Sequence, residues 1–240
     1  MAAAAAGRDD GRPDDERITF PRSAVSIPVR DLLPTQREID VDNSLAWQMG
    51  AQPGSAQLQH ILNGRAVALK GPILTLNGGF VVDGHHRWSQ VYCINPDATV
   101  SCMDIRTRDR VDPVDFLKAV QMAIAVTTRS IPQERVRSQN LMLIDRQRFD
   151  AYVHRGQGSL TGFSGMTEHF WQSIGADGPE HAASLVWSNV REMQSGNRPI
   201  GGAPERSDMP QTDSVLTNPT FRRVMQSGDI NYEEPLTPVA

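Results

Sequence analysis

The stretch from Ile73 to Ile94 constrains the fold more than any other part of the chain. Asn77-Gly78-Gly79 is a tight-turn signal, because glycine takes positive φ without a steric cost. Apolar runs flank it, so Leu74–Val82 is expected to be a β-hairpin ending in the strand Phe80-Val81-Val82. That strand runs directly into Asp83-Gly84-His85-His86-Arg87. The spacing of Trp88, Val91 and Tyr92 or Ile94 then predicts a helix over 86–94, stopped by Asn95-Pro96-Asp97. Thr99–Ile105 reads as a further strand. A hairpin, a helix and a further strand in sequence are expected to give an α+β architecture.

The flanking segments fill out this unit. Val25–Val29 reads as a short strand, with Pro28 placing it at an edge or a strand end. Arg30–Glu38 follows as a polar loop. Residues 43–63 are helix-like, split at Gln52-Pro53-Gly54 and stopped at Asn63-Gly64. Val67–Leu69 suggests another strand. Asp112-Pro113 marks a helix start, with Val114, Leu117, Val120 and Ile124 at helical spacing. A second helix is expected from Ser130 through Ile144, and a third over Ala182–Met193. Glycines at 156, 158, 162 and 165 mark a flexible connection, and 195–214 reads as extended. The expected organisation is a disordered tail over 1–16, the mixed-sheet domain over 17–110, a helical extension over 111–155 and an accessory region over 156–240.

Composition excludes several classes. No run approaches the ~20 apolar residues of a membrane span, so no membrane partner is expected. The formal charge of −4 gives no bulk attraction to nucleic acid. Of the 24 basic residues only Lys70 and Lys118 are lysines, and the arginine excess suits either genome composition or recognition of phosphate and carboxylate. Cys93 and Cys102 have no metal-ligand spacing and fit a reducing compartment, with the cytoplasm as the expected location.

The turn at 83–87 carries the chemistry. First-turn N–H groups of a helix lack internal partners and, with the helix dipole, attract anions. Gly84 lets the backbone approach a ligand, His85 and His86 can hydrogen-bond or carry protons, and Arg87 can grip phosphate in a fork. Asp83 can take Mg²⁺ together with substrate phosphates. Each residue also has a structural alternative: Asp83 as a helix cap, Gly84 as a turn, the histidines as satisfied core groups, Arg87 as a surface ion pair.

Asp83-Gly-His-His-Arg87, preceded by a Val-Val strand, resembles the signature of the ParB/sulfiredoxin-like fold, and Val25-Ser-Ile-Pro-Val-Arg-Asp-Leu-Leu-Pro34 resembles that family's opening box. The resemblance covers about residues 24–107. Sulfiredoxins carry cysteine where this chain has His85, while His86 and Arg87 match them. Chromosome-partitioning ParB proteins carry Gly-Glu-Arg-Arg, matched here only at Gly84 and Arg87. Free serine kinases of the fold carry Asp-Gly-His-His-Arg, matched at all of 83–87. The resemblance therefore implies a phosphotransferase moving a phosphoryl group from ATP or ADP to a hydroxyl-bearing acceptor with Mg²⁺; CTP, used by the partitioning members, is a further candidate nucleotide. It implies phosphate binding by Gly84, His85, His86 and Arg87, with Asp83 on the metal and His86 on the transferred group. Glu38 is the expected base, with Asp40 and Asp31 as further candidates, and Gln36 is placed to orient the acceptor. A metal-dependent nuclease and a nucleotide-gated DNA-binding protein are the alternatives, the latter using Arg129, Arg135, Arg137, Arg146 and Arg148. His169, Trp171, His181 and Trp187 are expected to be packing residues.

Overall fold

A computed structural model describes residues 18–53, 55–64, 69, 71–108, 110–128 and 138–205, with side chains of 122–128 left aside. It is a mixed α+β structure. The strands are β1 (Ile18–Thr19), β2 (Val25–Pro28), β3 (Leu33–Pro34), β4 (Ile73–Leu76), β5 (Phe80–Asp83) and β6 (Thr99–Thr107). The sheet order is β1-β6-β4-β5-β3, with β2 also paired to β6. The hairpin β4–β5 is antiparallel as expected, and Asn77 and Gly78 both take positive φ at its turn. Pairing of β4 with β6 and of β3 with β5 is parallel, while β1 and β2 run antiparallel to β6. The edge position expected for Pro28 holds, since β2 ends there opposite Thr99.

Among the described residues there are seven α-helices: α1 (Trp47–Met49), α2 (Ala56–Leu62), α3 (His85–Ile94), α4 (Pro113–Thr128), α5 (Arg146–Arg155), α6 (Glu168–Ser173) and α7 (Pro179–Gly196). A π-helical turn over Asp42–Ala46 leads into α1. The expected break at 52–54 separates α1 from α2, and Asp112 caps α4 through Oδ1 to the Val114 N–H at 2.8 Å. Period-two alternation divides the sheet's side chains between two cores. Ile73, Val81, Val100 and Cys102 join the core shared by α2, α3, α5 and α7. Leu76, Val82 and Ile105 pack instead on Phe116, Leu117 and Val120 of α4. Phe149, Tyr152, Val186, Val190 and Met193 thus share a core with the sheet and with Trp88 of α3.

Three expectations need correction. Residues 138–144 are not helical. They form a short ladder beside 39–41, with Val41 N–H donating to Gln139 O at 2.9 Å and Leu141 N–H to Ile39 O at 2.7 Å. Apolar spacing at Leu141 and Ile144 suits burial in either conformation, and the long-range ladder decides between them. The remainder of that expected helix, 130–137, lies outside the described residues, as does most of Val67–Leu69. The third helix is longer than expected, reaching Gly196, so 195 and 196 are not extended. Among the described residues no helix is long and apolar enough to cross a membrane.

Candidate functional site

The turn between β5 and α3 is built on Gly84, whose φ of +94° is left-handed. The conformation favours glycine; a Cβ there would also lie 2.8 Å from Arg87 Nη2 and 2.9 Å from Nε, the movable end of that side chain. Arg87 folds back over this glycine. Its Nη2 donates to Asp83 Oδ2 at 2.8 Å, and its Nη1 donates to the carbonyls of Gly71 at 3.2 Å and Pro72 at 2.8 Å. Of the structural alternatives, the surface ion pair of Arg87 is present, with Asp83 as its partner, whereas the N-cap of α3 is Gly84 and Asp83 does not cap the helix through its side chain. With side-chain exposures of 61% for Asp83 and 23% for Arg87 the pair is open to solvent on the aspartate side and adds little to stability.

The two histidines face the upstream loop. His85 is buried, and its Nε2 accepts the Thr35 N–H at 3.2 Å. The Thr35 hydroxyl itself donates to Val81 O at 2.6 Å, fastening the loop to β5. His86 Nε2 accepts the Asp40 N–H at 3.0 Å. A backbone N–H can only donate, so each Nε2 presents a lone pair and each neutral ring carries its proton on Nδ1. The loop 35–40 is thus caught at both ends by adjacent residues of α3's first turn.

The expected acidic and amide residues fall at different places along that loop. Glu38 lies between the two anchors and is half-buried. Gln36 is 2% exposed, and its Nε2 donates to the Glu38 carbonyl, so it braces the loop from inside. The Asp40 carboxylate is occupied: Oδ1 accepts the Asn43 N–H at 2.9 Å, and Oδ2 accepts the Ser138 N–H at 3.0 Å and hydroxyl at 2.9 Å. Asp31 is exposed and ends the 3-10 turn Val29–Asp31, before the first anchor at Thr35. Of the three acidic candidates, Glu38 is the one between the two anchors, while Asp40 receives Asn43 and Ser138 and Asp31 precedes the loop. Thr35 was not singled out by sequence reasoning, because its bonds to Val81 and His85 reach 46 and 50 residues away.

Among the described residues no group of three or more His, Cys, Asp or Glu is arranged to hold a metal ion. Asp83 is the turn's single carboxylate, and one of its oxygens is on Arg87. A magnesium ion fits here only as part of a nucleotide complex, with phosphates and water supplying its other ligands. Cys93 and Cys102 are buried thiols. Burial pushes Cys102 up to about 12 and moves Cys93 in the same direction, so neither offers a thiolate near neutral pH.

Arg129, Arg135 and Arg137 lie outside the described residues. Arg146 is held by Asp150 at 2.7 Å and lies 5.9 Å from the Trp187 ring, and Arg148 is 3.6 Å from Asp145. Trp187 packs on Phe149 with ring centroids 5.1 Å apart, the packing role expected of it. Comparisons of the chain with protein-family models, with curated proteins and with solved structures found no match.

Proposed function

We propose that this chain is a nucleotide-dependent phosphotransferase on a ParB/sulfiredoxin-like core, moving a phosphoryl group from ATP or ADP to a hydroxyl-bearing acceptor. One observation carries the reading: the motif's own histidines fasten the loop bearing Glu38 over the start of α3. The loop that carries this acidic residue is thereby tied to the first turn of a ten-residue helix, whose N-terminal end is positive. Phosphoryl transfer asks mainly for such positioning and for neutralisation of charge.

The donor phosphates would lie at the start of α3, where the glycine at the cap position has no side chain of its own. Arg87 would exchange Asp83 for a phosphate, meeting it with two parallel N–H donors. Asp83, released from the pair, would be the protein's carboxylate toward a Mg-nucleotide, the ion itself neutralising phosphate charge. Glu38 would accept the proton of the acceptor hydroxyl once that hydroxyl is within hydrogen-bond reach. His85 and His86 hold the loop in place, and Gln36 fixes the Glu38 backbone.

The test follows ATP and ADP consumption by ³¹P NMR with Mg²⁺, in wild type and in Asp83→Asn. The variant is expected to lose turnover about 100-fold. Its melting temperature should hardly move, because an exposed ion pair contributes at most about 1 kcal/mol. Equal turnover in both proteins contradicts the assignment of Asp83. Nucleotide-independent nicking of plasmid with Mg²⁺ or Mn²⁺ selects the nuclease instead.

A further inference from the structure

We infer that Asn140, from the region following the sheet domain, is a positioning residue for Glu38. The inference rests on the phosphotransferase reading for what Glu38 does, and on geometry alone for how Asn140 holds it. Asn140 lies opposite Asp40 in the ladder between 39–41 and 139–141. Its side chain reaches further along the loop than the ladder does. Oδ1 accepts the Ile39 N–H at 3.2 Å, and Nδ2 donates to the Arg37 carbonyl at 3.4 Å. One amide therefore grips the main chain on both sides of residue 38.

The amide arrives already oriented. Its Oδ1 also accepts the Met142 N–H at 3.0 Å, and its own carbonyl accepts the Leu143 N–H at 3.1 Å, a local turn that fixes the side chain. A second accessory segment completes the clamp: the Arg37 N–H donates to Pro204 O at 2.9 Å, and Ile200 N–H to Pro34 O at 3.2 Å. With Gln36 on the Glu38 carbonyl, the N–H groups of residues 37 and 39 and the carbonyls of 37, 38 and 39 are held by three separate parts of the chain. A base needs this restraint, since a misplacement of about 1 Å can cost roughly 100-fold in rate. The region after the sheet domain is, on this view, a wall of the site.

The experiment uses the full chain with Asn140→Ala and Asn140→Asp, each alone and combined with Glu38→Gln. Hydrogen exchange reads the restraint directly: the Ile39 amide should exchange about 10-fold faster in Asn140→Ala, while amides within α3 keep their protection. ATP turnover reads its consequence: kcat should fall about 10- to 100-fold with ATP affinity unchanged. Asn140→Asp keeps the acceptor for Ile39 but sets an oxygen against the Arg37 carbonyl, so its kcat should also fall. In the Glu38→Gln background neither change should lower kcat further. Unchanged exchange at Ile39 overturns the inference whatever the turnover shows. Faster exchange with unchanged kcat, or with losses that multiply with Glu38→Gln, overturns the link to Glu38. Absence of ATP or ADP turnover in the wild type, or full turnover in Glu38→Gln, counts against the phosphotransferase reading, and exchange at Ile39 then still decides whether Asn140 holds the loop.

Discussion

Glu38→Gln is expected to lower ATP turnover by about 10²- to 10⁴-fold, the usual contribution of a positioned general base. Glutamine keeps the size of the side chain but cannot take the proton. The anchors at Thr35 and Asp40 are untouched by the change, as is the brace from Gln36 to the Glu38 carbonyl. Nucleotide affinity should therefore stay within about twofold and the loss should fall on kcat, a pattern that marks an interaction made only in the transition state. Asp40→Asn provides the contrast. Its carboxylate caps the turn at Asn43 and receives Ser138, so its replacement should be felt first as lost stability. A Glu38→Gln protein turning over within threefold of wild type would remove Glu38 from the chemistry.

Trp88→Ala is the substitution with the largest expected effect on stability. Trp88 lies one turn inside α3 and is fully buried. Its ring meets Tyr92 edge-on at 5.5 Å, and its indole N–H donates to Val29 O at 2.9 Å. Truncating a buried tryptophan costs about 3–5 kcal/mol in lost transfer energy and cavity formation. The Val29 carbonyl also loses a buried partner, and the Val29 N–H stays tied to Ala98 O, so that strand end cannot easily move to compensate. At about 2–4 °C per kcal/mol for a chain of this size, thermal melting followed by circular dichroism should fall by roughly 6–20 °C. Trp88→Phe should recover most of that, since it restores the bulk and forgoes only the N–H. A shift below about 3 °C in Trp88→Ala would mean that α3 is not held by this ring.

What the sequence revealed about the fold was decided by local rules. The hairpin is legible because Asn77 and Gly78 accept positive φ, and the start of α3 because a glycine sits where the backbone must turn left-handed. The burial of Trp88, Val91 and Tyr92 follows from helical spacing. The failures share a different cause. The segment 138–144 has apolar residues suited to a helix, but the Gln139 carbonyl and the Leu141 N–H are taken by Val41 and Ile39, about a hundred residues earlier. Strands of two residues such as β1 and β3 carry no periodicity to detect. At the site, the five residues 83–87 were found by their types, yet the partners of His85 and His86 lie 46–50 residues away. Gln36 was expected to be a loop side chain turned to an acceptor and is almost fully buried. Nothing local marks Asn140, whose contacts with 37 and 39 span 103 and 101 residues.

The most direct measurement is calorimetric titration of ATP, ADP and CTP, with Mg²⁺, into wild type and Arg87→Ala. The guanidinium that now rests on Asp83 and on the carbonyls of Gly71 and Pro72 is the one the account sends to the phosphate. At least one nucleotide should bind the wild type, and Arg87→Ala should bind it at least about 10-fold more weakly, the loss of a charge-assisted contact of roughly 1.4 kcal/mol or more. Equal affinity in the two proteins, or no heat from any of the three nucleotides with wild type, would contradict it.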